Sequence, residues 1–265
     1  MVSMNYSIEY AVLCHKGLAR SKNQDNFWCM GKFLTSDNNG LKEPICGTVE
    51  TKDAPAFAVF DGMGGELHGE VAAYTAASSF NHIYTHHSRS DMKAFLVDAC
   101  SAMNSAICTF SETQLFGNAG STMAILMFGK KNIYICNIGD TRIYHQSNTN
   151  LLQISHDHSE AGITNRKPAL TQNLGIPETD FIIAPYIAKG VYENGDRYLV
   201  CSDGLTDMVS NKTIEEVLSS NNNVRTCAEV LLQKALSAGG HDNITIILCE
   251  IRKQKRGLNL LRRQK

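Results

Sequence analysis

The chain has 265 residues, of which 43% are hydrophobic and 19% charged, and its formal net charge is −1. This composition predicts one large globular domain with a substantial core, and the near-zero charge gives no indication of a nucleic-acid or membrane partner. We expect a cytoplasmic protein, because the amino end has no charged-then-apolar leader and no apolar run approaches the length of a membrane span.

The first predicted elements are two strands, at residues 7–13 and 26–30, the second continuing the first after a polar turn. Residues 35–55 are rich in Asp, Asn, Gly, Lys and Thr without a clear period, which predicts a loop or weak hairpin. Residues 57–60 are a short apolar run, typical of a strand buried on both faces. Two helices are predicted next, at 66–85 and 91–111, with Asp91 as the N-cap of the second.

The period then changes to that of an antiparallel meander, with four short runs separated by turns, at 121–128, 132–137, 141–145 and 151–155. Two more strands (181–188 and 196–201), two helices (211–219 and 224–238) and a closing strand (243–251) follow. Because strands and helices come in blocks, we predict an α+β fold of antiparallel sheets covered by helices.

The carboxyl end differs in composition from the rest of the chain. Residues 252–265 contain seven Lys or Arg and no acid. Such a run is more often a solvated terminus than a binding surface. We therefore expect a catalytic domain over residues 1–251 and a flexible basic tail over 252–265.

The nine cysteines are scattered along the chain and form no C-x-x-C pair. Most lie in apolar contexts, where a thiol behaves as a small hydrophobic group. We interpret them as reduced and structural.

The segment 57–65 is the most informative, because an apolar strand leads directly to Asp61 among glycines. Gly62, Gly64 and Gly65 would allow positive φ and bring carbonyl oxygens close to a ligand. A hard cation prefers such oxygens. Taken alone, however, the segment fits a tight strand-to-helix turn with a solvated Asp equally well.

Four further carboxylates occupy comparable positions along the chain. Asp203 follows an apolar strand, Asp242 precedes the last strand, Asp140 lies in a Gly-Asp turn, and Asp25 comes five residues after Arg20. Each could be an ordinary turn residue. A convergent set would repel unless cations neutralised it, so the pattern favours hard divalent metals, and no Cys/His ligand pattern indicates zinc.

These segments, in this order, resemble the PPM family of metal-dependent type 2C protein serine/threonine phosphatases, and especially its bacterial members, from about Gly17 to Thr245. The resemblance implies a four-layer α-β-β-α sandwich, in which two antiparallel sheets flanked by helices carry a metal cleft at one edge. It also implies hydrolysis of phosphoserine and phosphothreonine in proteins by a metal-activated water, without a covalent enzyme intermediate.

The resemblance also assigns metal ligands. By position, Asp61 would bridge two Mn²⁺ or Mg²⁺ ions, and Gly62 would contribute its carbonyl. Asp203 and Asp242 would complete the site of one ion. Asp25 would serve the other, directly or through water.

Two more residues match functional positions of the family. Asp140 resembles the acid that helps to hold a third, weaker ion in bacterial members. Arg20 matches the phosphate-binding arginine, whose fixed charge and planar fork suit a phosphate dianion. The implied partners are phosphorylated proteins and a serine/threonine kinase whose action the enzyme would oppose, and we expect a monomer.

The chain departs from the family pattern at two places. Met63 stands where many eukaryotic members have a histidine proposed as general acid, which implies protonation of the leaving group by metal-bound water. The flap beside the active site is reduced to residues 160–169, which should leave the cleft more open, and Gln172 stands after it where Arg is frequent.

His241, next to Asp242, is interpreted as a solvent-facing loop residue rather than a substitute acid, and His156 and His158 as structural.

Two rival interpretations remain open at this stage. The pairs His156-Asp157 and His241-Asp242 could indicate a helical HD-type metal phosphohydrolase, although the strand-rich middle argues against that fold. The chain could also be a catalytically silent phosphoprotein-binding regulator on the same fold, although the complete set of acids argues against lost metals.

Overall fold

A computed structural model describes residues 6–63, 68–114, 119–148, 150–160, 168–220 and 222–254. Most of the predicted tail, most of the predicted flap, and Gly64 and Gly65 lie outside the described residues. Arg252 and Lys253 are the exception in the tail, because they belong to the last strand.

Strands dominate the described part of the chain, with five α-helices inserted in two places. In chain order the elements are β1 (Tyr6–His15), β2 (Asp25–Cys29), β3 (Ile45–Glu50), a 3₁₀ turn (Thr51–Asp53), β4 (Ala56–Met63), α1 (Gly69–His86), α2 (Met92–Gln114), β5 (Gly120–Ser121), β6 (Met123–Phe128), β7 (Asn132–Ile138), β8 (Arg142–Ser147), β9 (Asn150–Gln153), β10 (Tyr186–Val191), β11 (Arg197–Cys201), α3 (Asp203–Thr206), α4 (Asn211–Leu218), α5 (Val224–Ser237) and β12 (Ile244–Lys253).

The strands form two antiparallel sheets. The first has the order β3-β1-β12-β11-β8-β9, and the second has the order β10-β7-β6-β4-β2, with β5 attached to β4. Strands β2, β6 and β11 are buried along their whole length, which shows that both of their faces are covered. The α+β class with antiparallel sheets is therefore confirmed.

Three buried hydrophobic layers hold the sandwich together. One lies between the second sheet and helices α1 and α2, and includes Trp28, Phe60 and Phe80. The middle layer fills the space between the sheets. The third packs the first sheet against α3, α4 and α5. This stacking of helix, sheet, sheet and helix confirms the four-layer architecture.

Helix α2 carries enough apolar residues to pass a length-and-composition test for a membrane span over Met92–Thr113, with a mean hydropathy of 1.2. No such run was expected from the sequence. The core helix of a soluble protein passes the same test, and Phe95, Leu96 and Met103 of α2 are buried in the layer against the second sheet.

Three of the helices begin with a side-chain N-cap. The Asp91 carboxylate accepts hydrogen bonds from the backbone N–H groups of Lys93 and Ala94, which confirms it as the N-cap of α2. Helices α4 and α5 begin in the same way, with Ser210 and Asn223 as caps.

Three local predictions were wrong. Strand β2 does not continue β1 but lies in the opposite sheet, beside β4. Residues 45–50, expected in a loop or weak hairpin, form edge strand β3 against β1. The strand expected at 181–188 begins only at Tyr186, after Pro185, which lacks the N–H that a ladder needs.

The cysteine interpretation agrees with the structure. All nine thiols are free, and seven of them are buried, whereas Cys46 is exposed and Cys108 is partly exposed. Burial raises the pKa of Cys14 and of Cys201 to about 12, so these thiols are protonated near neutral pH.

Candidate metal centre

A cleft of about 950 Å³ opens at one edge of the sandwich, where β4 and β11 end and β12 begins. Most of the sequence-predicted site residues line it together, namely Arg20, Asp61, Gly62, Asp140, Asp203 and Asp242. These residues come from five separate segments of the chain, so the fold brings together what the sequence spaces over more than 220 positions.

Hydrogen bonds to the backbone of Asp61 fix this residue in place. Its N–H donates to Thr122 Oγ1 (3.2 Å), and its carbonyl accepts from the Thr122 N–H (2.8 Å) and from Ser121 Oγ (3.1 Å). Thr122 Oγ1 also shares a hydrogen bond of 2.5 Å with Thr141 Oγ1, next to Asp140. The side chain therefore projects from a fixed strand end, and Ser121, Thr122 and Thr141 are supporting residues that sequence reasoning missed.

Gly62 is required for close packing rather than for positive φ, which corrects the sequence interpretation. It belongs to strand β4, which runs on through Asp61 to Met63. A Cβ at this position would lie 2.0 Å from the Gly69 carbonyl oxygen and 2.6 Å from that of Gln24. Real Cβ atoms do not come so close, so only glycine allows α1 to start against this strand.

Asp25 lies beneath the cleft and does not line it. It pairs with Asp61 across β2 and β4, and only 1% of its surface is exposed. Its Oδ2 accepts from Ser202 Oγ and from Thr245 Oγ1, both at 2.7 Å. The two hydroxyl groups of Ser202 and Thr245 therefore fix the Asp25 side chain behind the site.

Asp203 and Asp242 reach the cleft from the two strands at the centre of the first sheet. Asp203 opens α3 directly after β11, and it is 6% exposed. Gly204 allows the approach of the following segment, because a Cβ there would lie 2.0 Å from the Asn243 carbonyl oxygen. Asp242 stands immediately before β12 and accepts from the Asn243 N–H through Oδ1 (2.8 Å).

Arg20 lies on the rim of the cleft, with half of its side chain exposed, and its NH2 group donates to Asp242 Oδ2 at 2.6 Å. This hydrogen bond raises the pKa of Arg20, so the guanidinium stays charged. A guanidinium has five N–H donors, which leaves capacity for a phosphate beside the carboxylates.

A second cation on the rim was missed by sequence reasoning. Lys22 Nζ pairs with Glu70 Oε1 at 2.6 Å, and Gln24 Nε2 donates to Glu70 Oε2 at 3.3 Å. Burial is the largest single influence and acts to raise the pKa of Glu70, but the hydrogen bonds from Lys22, from the Glu70 backbone and from Gln24, with the charge of Lys22, together lower it. In the sequence, only the position of Lys22 two residues after Arg20 could have indicated that it lies on the rim.

The histidines stay outside the cleft lining. His241 is exposed. His158 is buried, its N–H donates to the Gly139 carbonyl, and burial lowers the pKa of its ring. His156 packs against Tyr186, and the neighbouring Asp157 is paired with Arg142. These contacts agree with structural roles, and the two sheets rule out the helical HD-type fold.

The donor set fits hard divalent cations. The cleft presents four carboxylates, and no Cys or His belongs to its lining. Within the described residues, no three acidic, histidine or cysteine side chains are grouped tightly enough to hold an ion by themselves. That arrangement suits ions such as Mg²⁺, which are bound by one or two carboxylates and keep several waters.

The family-level comparison decides the relationship. A model of the family described as Protein phosphatase 2C matches residues 43–238. The chain belongs to this family. The predicted resemblance to the metal-dependent type 2C phosphatases is therefore confirmed.

Individual members of the family are similar over most of the chain. The serine/threonine phosphatase stp of Listeria welshimeri is 30% identical over 234 residues, which are 80% of this chain and 90% of that protein. The serine/threonine protein phosphatase PstP of Mycobacterium tuberculosis is 28% identical over 262 residues, 95% of this chain but 46% of that protein.

Solved structures of family members share the fold. The crystal structure of M. tuberculosis PstP/Ppp superposes with a TM-score of 0.76 at 27% identity, covering 94% of this chain and all of that one. The catalytic domain of PstP in complex with two manganese ions has the same TM-score and coverage at 28% identity. The metal-binding roles of the individual residues in this chain stay predictions.

Proposed function

We propose that this protein is a metal-dependent serine/threonine protein phosphatase, which releases phosphate from phosphoserine and phosphothreonine in proteins. The observation that carries the proposal is one cleft where four carboxylates converge and Arg20 stands on the rim. Family membership and relatives named as serine/threonine phosphatases support it.

Two Mn²⁺ or Mg²⁺ ions would be held by Asp61, the Gly62 carbonyl, Asp203 and Asp242, and Asp25 would serve one of them, directly or through water. The two manganese ions of the PstP catalytic domain support two ions here. Asp140, which also lines the cleft, would help to hold a third and weaker one. When bound, such ions supply a water acidic enough to attack phosphorus near neutral pH.

The residues of the chain would orient and balance the phosphoryl group. Arg20 would donate to the equatorial oxygens, where charge accumulates. The hydrogen bonds that join Ser121 and Thr122 to the Asp61 backbone would fix the strand end from which this carboxylate projects. Met63 lines the cleft and has no proton to give. The proton for the leaving alkoxide would therefore come from water.

We further propose that the physiological substrates are phosphoproteins made by a serine/threonine kinase that this enzyme opposes, that it works in the cytoplasm, and that it acts as a monomer in signalling. The names of the relatives support a protein substrate. A phosphoproteome measured after deletion of the gene tests this: serine and threonine sites should gain phosphate, and an unchanged phosphoproteome would contradict it.

The activity is tested with purified protein and a phosphothreonine peptide. We expect phosphate release that requires added Mn²⁺ or Mg²⁺ and is abolished by a chelator. A silent phosphoprotein-binding regulator would bind the peptide without releasing phosphate, so the same assay distinguishes the two functions.

A further inference from the structure

Arg20 is carried by a loop that has no regular secondary structure of its own. Residues 16–24 connect β1 to β2 without helix or strand. A rim arginine on such a loop would be free to move unless other groups fix the loop. Its usefulness in recognising phosphate therefore depends on what anchors residues 16–24.

A single side-chain amide anchors this loop at both ends. Asn243 Nδ2 donates to the carbonyls of Lys16 (2.8 Å) and Lys22 (2.9 Å). Asn243 Oδ1 accepts from the Gln24 N–H (2.8 Å). Both donors and the acceptor of the amide thus contact one loop, and Arg20 lies between the anchored points.

The segment before Asn243 reinforces the attachment. The N–H groups of Leu18 and Ala19 both donate to the Gly240 carbonyl, at 2.8 and 3.3 Å. Gly17 has φ +80°, and a Cβ there would lie 2.1 Å from the Asp242 carbonyl oxygen. The arginine loop and the segment 240–243 are therefore in direct backbone contact.

The position of Asn243 makes this anchor strong. Only 3% of its surface is exposed, so water competes poorly for its hydrogen bonds. Its own N–H donates to Asp242 Oδ1, while Arg20 holds Asp242 Oδ2. One residue thereby fixes the arginine loop and the orientation of a predicted metal ligand relative to each other.

We infer that Asn243 is a positioning residue that sets the Arg20 guanidinium over the cleft at the place where the substrate phosphate binds. Both hydrogens of its side-chain amide are used by the arginine loop, so this group has no donor left for substrate. This inference rests on the proposed phosphatase activity and goes further, because it assigns the geometry of phosphate recognition to a buried amide on a different segment of the chain.

The test compares Asn243→Ala, Arg20→Ala and the double variant on a phosphothreonine peptide with Mn²⁺. Loss of a hydrogen bond to a charged group lowers binding about tenfold or more. We expect Asn243→Ala to raise KM about tenfold with a smaller effect on kcat. The double variant should resemble Arg20→Ala, because no guanidinium is left to misplace.

A matched control removes a buried amide at the far end of the sheet. Gln146 is 2% exposed and donates to the Asn148 carbonyl and to Ser219 Oγ, both at 2.9 Å. Gln146→Ala should lower the melting temperature without raising KM. Asn243→Asp keeps the shape of the side chain and serves as second variant if Asn243→Ala does not fold, because its carboxylate would face two carbonyl oxygens and release the loop.

Hydrogen–deuterium exchange supplies a readout independent of activity. The amides of residues 16–25 should exchange faster in Asn243→Ala, and those of Gln146→Ala should exchange there as in the wild type. Unchanged exchange or an unchanged KM in an active Asn243 variant would overturn the inference, as would multiplied effects in the double variant. An inactive wild type would overturn the proposed function and the inference with it.

Discussion

Arg20 and Asp242 form an ion pair at the rim of the acidic cleft, and at the scale of single residues the proposed recognition of phosphate depends on this guanidinium. The guanidinium brings positive charge to a place where four carboxylates would otherwise repel a dianion. Its planar fork can contact a carboxylate and phosphate oxygens simultaneously.

Replacement of Arg20 by Ala should therefore raise KM for a phosphothreonine peptide about tenfold, with a smaller fall in kcat. Arg20→Lys should restore only part of the loss, because it keeps the charge but not the fork. Steady-state kinetics measure both. Arg225→Ala, which removes an exposed arginine on α5, is the control and should leave both constants unchanged; equal kinetics for Arg20→Ala and Arg225→Ala would refute the role.

The sequence pattern located the cleft residues wherever an acid stands at the end of an apolar strand beside glycine, as at Asp61 and Asp203. The supporting groups were not readable in this way. Ser202 and Thr245 reach Asp25 from positions 177 and 220 residues away, and only the fold creates those contacts. Such hydrogen bonds leave no local pattern of period or spacing.

At the scale of elements, the start of α1 packs directly against the end of β4. Gly62→Ala would place a Cβ 2.0 Å from the Gly69 carbonyl oxygen, so one of the two elements must move. Overpacking of this kind costs about 1–3 kcal/mol, and here it also displaces Asp61. Urea unfolding should show the loss of stability.

Gly129→Ala is the matched control, because its Cβ would meet nothing closer than 3.4 Å, at the end of the flexible Met92 side chain. Its effect on stability should be small. If the two glycine variants unfolded at the same urea concentration, the close approach of α1 to β4 would not be the reason for Gly62.

A buried ion pair joins β11 to β12 and to the loop after α4. Arg197 donates to Glu250 and to the carbonyls of Leu218 and Asn222, with 8% and 3% of the Arg197 and Glu250 surfaces exposed. Arg197→Met should cost about 3–5 kcal/mol, because Glu250 is left partly uncompensated in the interior. The exposed Arg225–Glu229 pair should contribute under about 1 kcal/mol; similar unfolding energies for Arg197→Met and Arg225→Ala would contradict this.

Most elements were predictable from periodicity, and the errors have physical causes. Strand β3 alternates weakly because it is an edge strand with partly exposed residues. The sheet to which β2 belongs is decided by pairing with β4 rather than by any property of residues 25–29. Local sequence specifies that a strand forms, whereas long-range packing specifies its partner.

At the scale of the whole molecule, the described residues of the cleft lining offer oxygen ligands and include no cysteine. Seven of the nine cysteines are buried, and burial raises the pKa of Cys29 and Cys100 to about 12. A thiol reagent at pH 8 should therefore modify Cys46 first and Cys108 more slowly, and the other cysteines only after unfolding. Phosphatase activity should survive modification of Cys46, and its loss would argue for a role of that thiol.

We propose that the acidic cleft is a metal-dependent phosphatase site organised around Asp61. The most direct measurement is phosphate release from a phosphothreonine peptide by the wild type and by Asp61→Asn, with and without added Mn²⁺. Asn keeps the shape of Asp but removes the charge that would bridge two ions. We expect Mn²⁺-dependent release by the wild type and release near the metal-free level by a folded Asp61→Asn. Equal release by the two proteins, or none by the wild type, would contradict it.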